Sequence, residues 1–267
     1  MAIGLPTPRP AIRLTLTDSG ETQLRFSKPP HDDLTQKMAE FTADYLPKIG
    51  DLSGFIVCAK SPSCGLERVR LYDENGNRGR KEGVGLFTAA LLETYPWLPV
   101  EEDGRLHDPV LRENFIERVF ALHELNTLRA KGLTRRGLLD FHSRYKLQLL
   151  AHHQAGYREI GPFVASLHEW EDLDAFFVAY REKLMTILKK PASRKNHTNV
   201  LMHIQGYFRN QLNTRQRSEL RDVILHYRNG QLPILAPITL LKHYLAEYPD
   251  RYLMTQNYFD PYPDDLG

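Results

Sequence analysis

Two hydroxyls and a thiol sit together at Ser61-Pro-Ser-Cys64, and a second thiol, Cys58, lies just upstream. A thiolate is both a nucleophile and a ligand for soft metals, while serine hydroxyls donate and accept hydrogen bonds to orient a polar substrate. Phe55-Ile-Val57 ahead of them is a short apolar run of bulky and β-branched residues, which predicts a buried strand. Pro62 cannot donate to a ladder and Gly65 admits a sharp turn. The hydroxyls and Cys64 are therefore delivered at the carboxyl end of a strand, where ligands sit in open α/β sheets. The spacing of Cys58 on that strand predicts a packed thiol, and a buried cysteine in an ordinary turn stays open as the plainer reading of the loop.

A second constellation is cationic. Lys195, Asn199 and His203 fall at i, i+4 and i+8, so one helix face would present a cation, an amide and an imidazole. Val200, Ile204 and Phe208 lie about a quarter-turn away and would anchor that helix in a core. Arg194 and His197, with Arg209, Arg215 and Arg217 further on, extend the positive surface, and His142 with Lys146 repeats the i, i+4 spacing. Such a face suits the phosphates of a structured RNA, with aromatics stacking a splayed base. A solvated helix surface is the competing reading, and each histidine alone reads as a hydrogen-bonded core or surface residue. His152 and His153 are adjacent, and neighbours on a helix diverge by about 100°, so no metal is expected between them.

The elements that must position these groups change character along the chain. Ala11–Leu16 and Thr22–Phe26 alternate in hydropathy around a turn at 18–20, which predicts a hairpin. Leu34, Met38, Phe41 and Tyr45 then mark a helix closed by Pro47 and Gly50. Strands are predicted at 53–59, 68–72 and 99–102, with Lys81–Gly85 leading into a helix that stops near Pro96. From Asp108 onward, a helix marked by Val110, Phe115, Val119 and Leu122 is followed by five further apolar stripes of helical spacing, and Tyr258–Gly267 reads as an extended tail. The fold class is α/β plus all-α: a partial α/β domain over 1–106, a connecting helix at 107–130 and a helical bundle over 131–267.

Composition narrows the class. A chain of 267 residues with mean hydropathy −0.45 has ample length for a core, and no apolar run approaches the about 18 residues that a membrane span needs. Two closely spaced cysteines are no disulfide framework, and no signal-peptide pattern opens the chain, so the expected setting is a reducing cytoplasm without membrane contact. Net charge is only +2, but all except one of the eleven histidines lie at or after His107, and the basic excess is concentrated over 189–228. That asymmetry points to a polyanionic partner for the second half.

Gly54-Phe-Ile, Ser61-Pro-Ser-Cys-Gly65, Gly83-Val-Gly-Leu-Phe87 and Leu98-Pro-Val-Glu-Glu102 resemble the thiouracil desulfidase (TudS) domain. Arg194–Phe208, Phe141–Lys146 and Pro237–Tyr244 resemble the YbgA-type helical domain. The two in this order resemble the RudS family, desulfidases that convert 4-thiouridine in transfer RNA to uridine. What the resemblance implies is a [4Fe-4S] cluster on three cysteines, with one iron open to hold the substrate sulfur. It makes Cys64 the third cluster ligand and Ser61 the residue that orients substrate or relays a proton.

The other two ligand motifs of that family, S-A-C-L-x-G and C-P-E, do not occur between Met1 and Gly267. Gly4–Pro10 resembles the segment that follows C-P-E, so Met1 reads as entering mid-domain, and the polypeptide as written is expected to be inactive as a desulfidase. Three readings follow: an iron–sulfur desulfidase of thiolated transfer RNA, a non-catalytic protein binding RNA or a thiolated nucleotide, and a hydrolase with Cys64 as nucleophile. No histidine and acid stand out as partners for the last of these.

Overall fold

The computed structural model describes residues 3–263 and 266, which fall into two compact units dividing between Phe115 and Ile116. The first is α/β and the second is all-helical.

In the first unit the hairpin forms where hydropathy alternates: β1 (Ile12–Leu16) runs antiparallel to β2 (Thr22–Phe26). β4 (Val69–Tyr72) joins parallel to β1, and β5 (Arg78–Gly83) closes a four-stranded sheet in the order β2-β1-β4-β5. Leu14, Leu24, Val69 and Leu71 bury one face of this sheet. Their core is shared with Leu34 and with Met38 of α1 (Thr35–Tyr45). β3 (Phe55–Val57) and β6 (Val100–Glu102) form a separate parallel pair. Phe87, on α2 (Leu86–Thr94), packs its ring near Phe41, Tyr45 and Phe55, with centroids 6.1, 6.0 and 5.7 Å away. β5 differs from expectation. Arg-Gly-Arg-Lys-Glu-Gly has no β-branched residue and reads as a helix approach, yet the tight turn at Asp73–Asn77 folds it back on β4 and supplies its ladder.

α3 (Pro109–Ala130) spans the division between the units. The second unit continues with α4 (Arg135–His152), α5 (Gln154–Ala165), α6 (Leu173–Leu188), α7 (Arg194–Tyr207), α8 (Thr214–Arg228) and α9 (Leu235–Glu247). Side chains of Thr134, His153, Asp172, Ser193 and Asn213 cap five of these by accepting from first-turn amides. α5 has no counterpart in the apolar stripes, because Gly156, Gly161 and an interior Pro162 break its pattern. Val200, Leu201, Ile204 and Phe208 enter a core with Leu220, Ile224, Leu241 and Tyr244. Tyr258 and Phe259 join it too, so the start of the expected extended tail is packed; Asp264, Asp265 and Gly267 lie outside the described residues. Among the described residues no helix is long and apolar enough to cross a membrane.

Candidate functional sites

The Ser61–Cys64 loop leaves the carboxyl end of β3, and three carbonyls hold it. Gly85 N donates to Gly65 O at 2.8 Å, Phe87 N to Ser63 O at 2.8 Å and Thr88 Oγ1 to Cys64 O at 2.8 Å. Two of the open backbone donors at the start of α2, Gly85 N and Phe87 N, are thus spent on the thiol loop. The approach is so close that a Cβ on Gly85 would stand 2.5 Å from Cys64 N and 2.6 Å from the Ser63 carbonyl carbon. Within the loop, Ser61 Oγ lies 3.0 Å from Ser63 Oγ and accepts from Cys64 N at 3.3 Å.

Acids at and after β6 pin both ends of the loop. Glu102 is buried, and its Oε1 accepts from Leu66 N at 2.9 Å and Glu67 N at 3.2 Å. Asp103 Oδ1 accepts from Ala59 N at 2.9 Å, and the Ala59 and Gly104 amides hold its carboxyl below the usual range. Glu101 accepts from Arg105 Nε at 2.6 Å, and Arg105 also pairs with Glu67. Lys60 (φ 60°) and Arg68 (φ 55°) bracket the segment in the left-handed region, where a non-glycine residue costs about 1–2 kcal/mol. Strain of this kind collects at sites held for recognition.

Cys58 is exposed, which corrects the expectation of a packed thiol: it lies past the last residue of β3, outside the core. Neighbouring Cys64 pushes its pKa up, with smaller contributions from burial and Asp103. Cys64 is half-buried. These are the chain's two cysteines, and among the described residues no three of His, Cys, Asp and Glu converge to hold a metal ion. Two thiols fall short of the three that the resemblance calls for. This donor set does not fit a [4Fe-4S] cluster.

In the helical unit Lys195, Asn199 and His203 are all exposed on α7, with Val200, Leu201 and Ile204 buried behind them. His203 meets Tyr207 edge-on at 5.5 Å, and Tyr207 stacks on Tyr252 at 5.7 Å, so aromatic surface continues the cationic face. Sequence spacing missed Tyr252, which reaches this face from beyond α9.

Other expected phosphate contacts lie elsewhere. His142 is 4% exposed and its Nδ1 is 3.1 Å from Tyr180 Oη. Burial, aided by the charge on Lys146, pushes its pKa down to about 4. His142 therefore faces the core as a neutral ring, a correction to its expected role, while Lys146 is half-buried one turn on. His197 points inward to Tyr258 Oη at 3.0 Å and is likewise pushed down to about 4, chiefly by burial. The Arg194 guanidinium donates to Tyr227 O at 2.6 Å and covers the Tyr227 ring, which fastens α7 to α8. His152 bonds Glu117 and Lys190 O, whereas His153 caps α5 and lies 2.9 Å from Lys190 Nζ.

Comparison with known proteins divides the chain in the same order. Residues 1–103 match the family model for 2-thiouracil desulfurase, and residues 146–263 match that of a domain of unknown function, DUF1722. The uncharacterized protein YbgA of Escherichia coli (strain K12) is 51% identical over 146 residues, covering 55% of this chain and 86% of that protein. No solved structure matches.

Proposed function

Because the chain belongs to the YbgA family and places a segment similar to 2-thiouracil desulfurase ahead of that region, we propose that it acts on a thiolated nucleotide within RNA. Its substrate in this reading is 4-thiouridine in transfer RNA, and the reaction replaces the thiocarbonyl sulfur with oxygen. The observation that carries the reading is the exposed Lys195–Asn199–His203 face running into Tyr207 and Tyr252. Cations neutralise phosphates, and the aromatic edge takes an unstacked base. In the first unit, the half-buried Ser61 hydroxyl donates to and orients the thiocarbonyl beside Cys64. The β6 acids and the start of α2 keep that pair in place. Two free thiols suit a reducing cytoplasm.

Binding of thiolated RNA without turnover is a second reading, favoured by the exposed Lys195–Asn199–His203 face, which engages phosphates without any chemistry. Titrating the full chain with 4-thiouridine-containing transfer RNA while following the thiocarbonyl absorbance and released sulfide separates the two. Binding with sulfide release supports desulfidation, and binding alone supports the second reading. Absence of salt-sensitive binding, or affinity unchanged in Lys195→Ala, removes the α7 face from both.

A further inference from the structure

The first unit's four-stranded sheet has a second face. Because Leu14, Leu24 and Leu71 point to the core, the residues between them point away from it. Arg13 pairs in register with Arg25 on β2. Leu14 pairs with Leu71 and Thr15 with Tyr72, which sets Arg13 beside Arg70, and Arg70 pairs with Lys81 on β5. The result is a row of four cations, Arg25–Arg13–Arg70–Lys81, one from each strand. At about 4.8 Å between strands, the row spans about 14 Å. A second row beside it reads Gln23–Thr15–Tyr72–Arg78, in which Thr15 is buried, Tyr72 is half-buried and the Arg13 guanidinium lies 5.3 Å from the Tyr72 ring centre.

Like charges directly opposed across strands destabilise a sheet, and here they recur at three successive interfaces. Among the described residues none of the four forms an ion pair. Arg25 donates to Gln23 at 2.8 Å, and Arg13 Nε is buried with no hydrogen-bond partner. Two carboxylates flank the row without an ion pair to it. Asp33, in register with Arg25, accepts from Thr35 N, and Glu82 sits at a register shift of the β4–β5 ladder. Protection of an open sheet edge accounts for charges on β5. It does not account for Arg13 and Arg70, which are on the two central strands.

We propose that this sheet face binds the phosphate backbone of an RNA strand, with Tyr72 offering its ring to a base. The inference rests on the RNA reading above and adds to it a second contact surface on the first unit. The cations match a polyanion, and an aromatic within the sheet face is the arrangement by which sheets receive splayed bases. An anionic lipid surface shares the charge but gains nothing from Tyr72 in a sheet interior.

The test uses the full chain, with unfractionated transfer RNA as the probe, across a series of salt concentrations. The Arg70→Gln/Lys81→Gln variant is expected to bind roughly tenfold more weakly at low salt, with the slope of log affinity against log salt reduced by about two. Arg70→Lys/Lys81→Arg is expected to bind as the parent does, and an unchanged urea midpoint shows that the fold is intact. Unchanged affinity and slope in the Gln variant, while Lys195→Ala weakens binding, overturns the sheet-face inference alone. No RNA binding by the parent overturns the RNA reading itself. Loss of binding to phosphatidylserine vesicles with RNA affinity unchanged overturns the inference in favour of a membrane surface.

Discussion

The Gln256 side chain donates through Nε2 to the Ser143 carbonyl at 2.7 Å, while its Oε1 accepts from Leu147 N at 3.3 Å. Ser143 O and Leu147 N are the pair that a regular α-helix joins to each other. One buried amide from the chain's last turns therefore spans a rung of α4, and Asn257 N adds a bond to Arg144 O at 3.0 Å. This is how the segment after α9 is fixed against α4.

Replacing that amide tests the relationship by chemistry. Gln256→Ala removes both bonds but lets Ser143 and Leu147 pair with each other, so a loss of about 1–3 kcal/mol is expected in urea denaturation. Gln256→Glu keeps the shape, but the carboxylate cannot donate to Ser143 O and would bury a charge, so a larger loss is expected. Equal losses in the two variants would contradict the bridging role.

Gly85 makes a second, steric prediction. A methyl group there meets backbone atoms of Ser63, Cys64 and Gly65, which cannot rotate aside. Gly85→Ala is expected to destabilise the first unit by about 1–3 kcal/mol through overpacking and to displace the Ser61–Cys64 loop. Thr88→Val removes only the bond to Cys64 O and is expected to cost about 1 kcal/mol. Amide hydrogen exchange of Gly65 and Leu66 reads the difference, with faster exchange in Gly85→Ala than in Thr88→Val.

Much of the fold was legible because alternation and helical spacing are local. The β1–β2 hairpin, the β3 strand and the apolar stripes of α4, α6, α7, α8 and α9 follow from the residues that form them. β5 was hidden because its pairing with β4, and no propensity of its own, makes it a strand. α5 was hidden by Pro162 and two glycines. At the site, the Ser61–Cys64 loop and the Lys195 face could be seen in the chain. The roles of Gly85, Thr88 and Glu102 could not, since they depend on α2 and β6 approaching the loop in space. His142 and His197 mark the opposite limit: helical spacing says which residues share a face, but which faces turn inward is decided by packing.

Those two inward histidines give the helical unit a pH dependence. An unfolded imidazole titrates near 6.5, and both folded rings are pushed down to about 4 by burial. Between these values the unfolded chain binds more protons, so their contribution is full above about pH 6.5 and declines as pH falls toward 4. Each contributes up to roughly 3 kcal/mol. Urea midpoints of the parent are expected to drop steadily from pH 6.5 to 4.5. Replacing His197 with a non-titrating residue, His197→Gln, is expected to flatten that decline while lowering stability at pH 7. An identical slope in the variant would show that His197 titrates normally.

Cys58 and Cys64 offer a chemical readout of the loop that needs no substrate. Cys64 is the foremost cause of the raised Cys58 pKa, ahead of burial and Asp103. Only the thiolate is alkylated, so the pH at which Cys58 reacts with iodoacetamide reports its titration. Cys64→Ser keeps a small polar side chain but removes the neighbouring thiol, and is expected to bring the reaction midpoint of Cys58 down. Asp103→Asn is expected to lower it by less, and only if Ala59 N keeps its bond to the new side chain. A Cys58 midpoint unmoved by Cys64→Ser would mean that the two sulfurs do not sense each other. The Ser61–Cys64 loop would then hold its thiol farther from the end of β3 than the bonds that Gly85 N, Phe87 N and Thr88 Oγ1 donate to its carbonyls require.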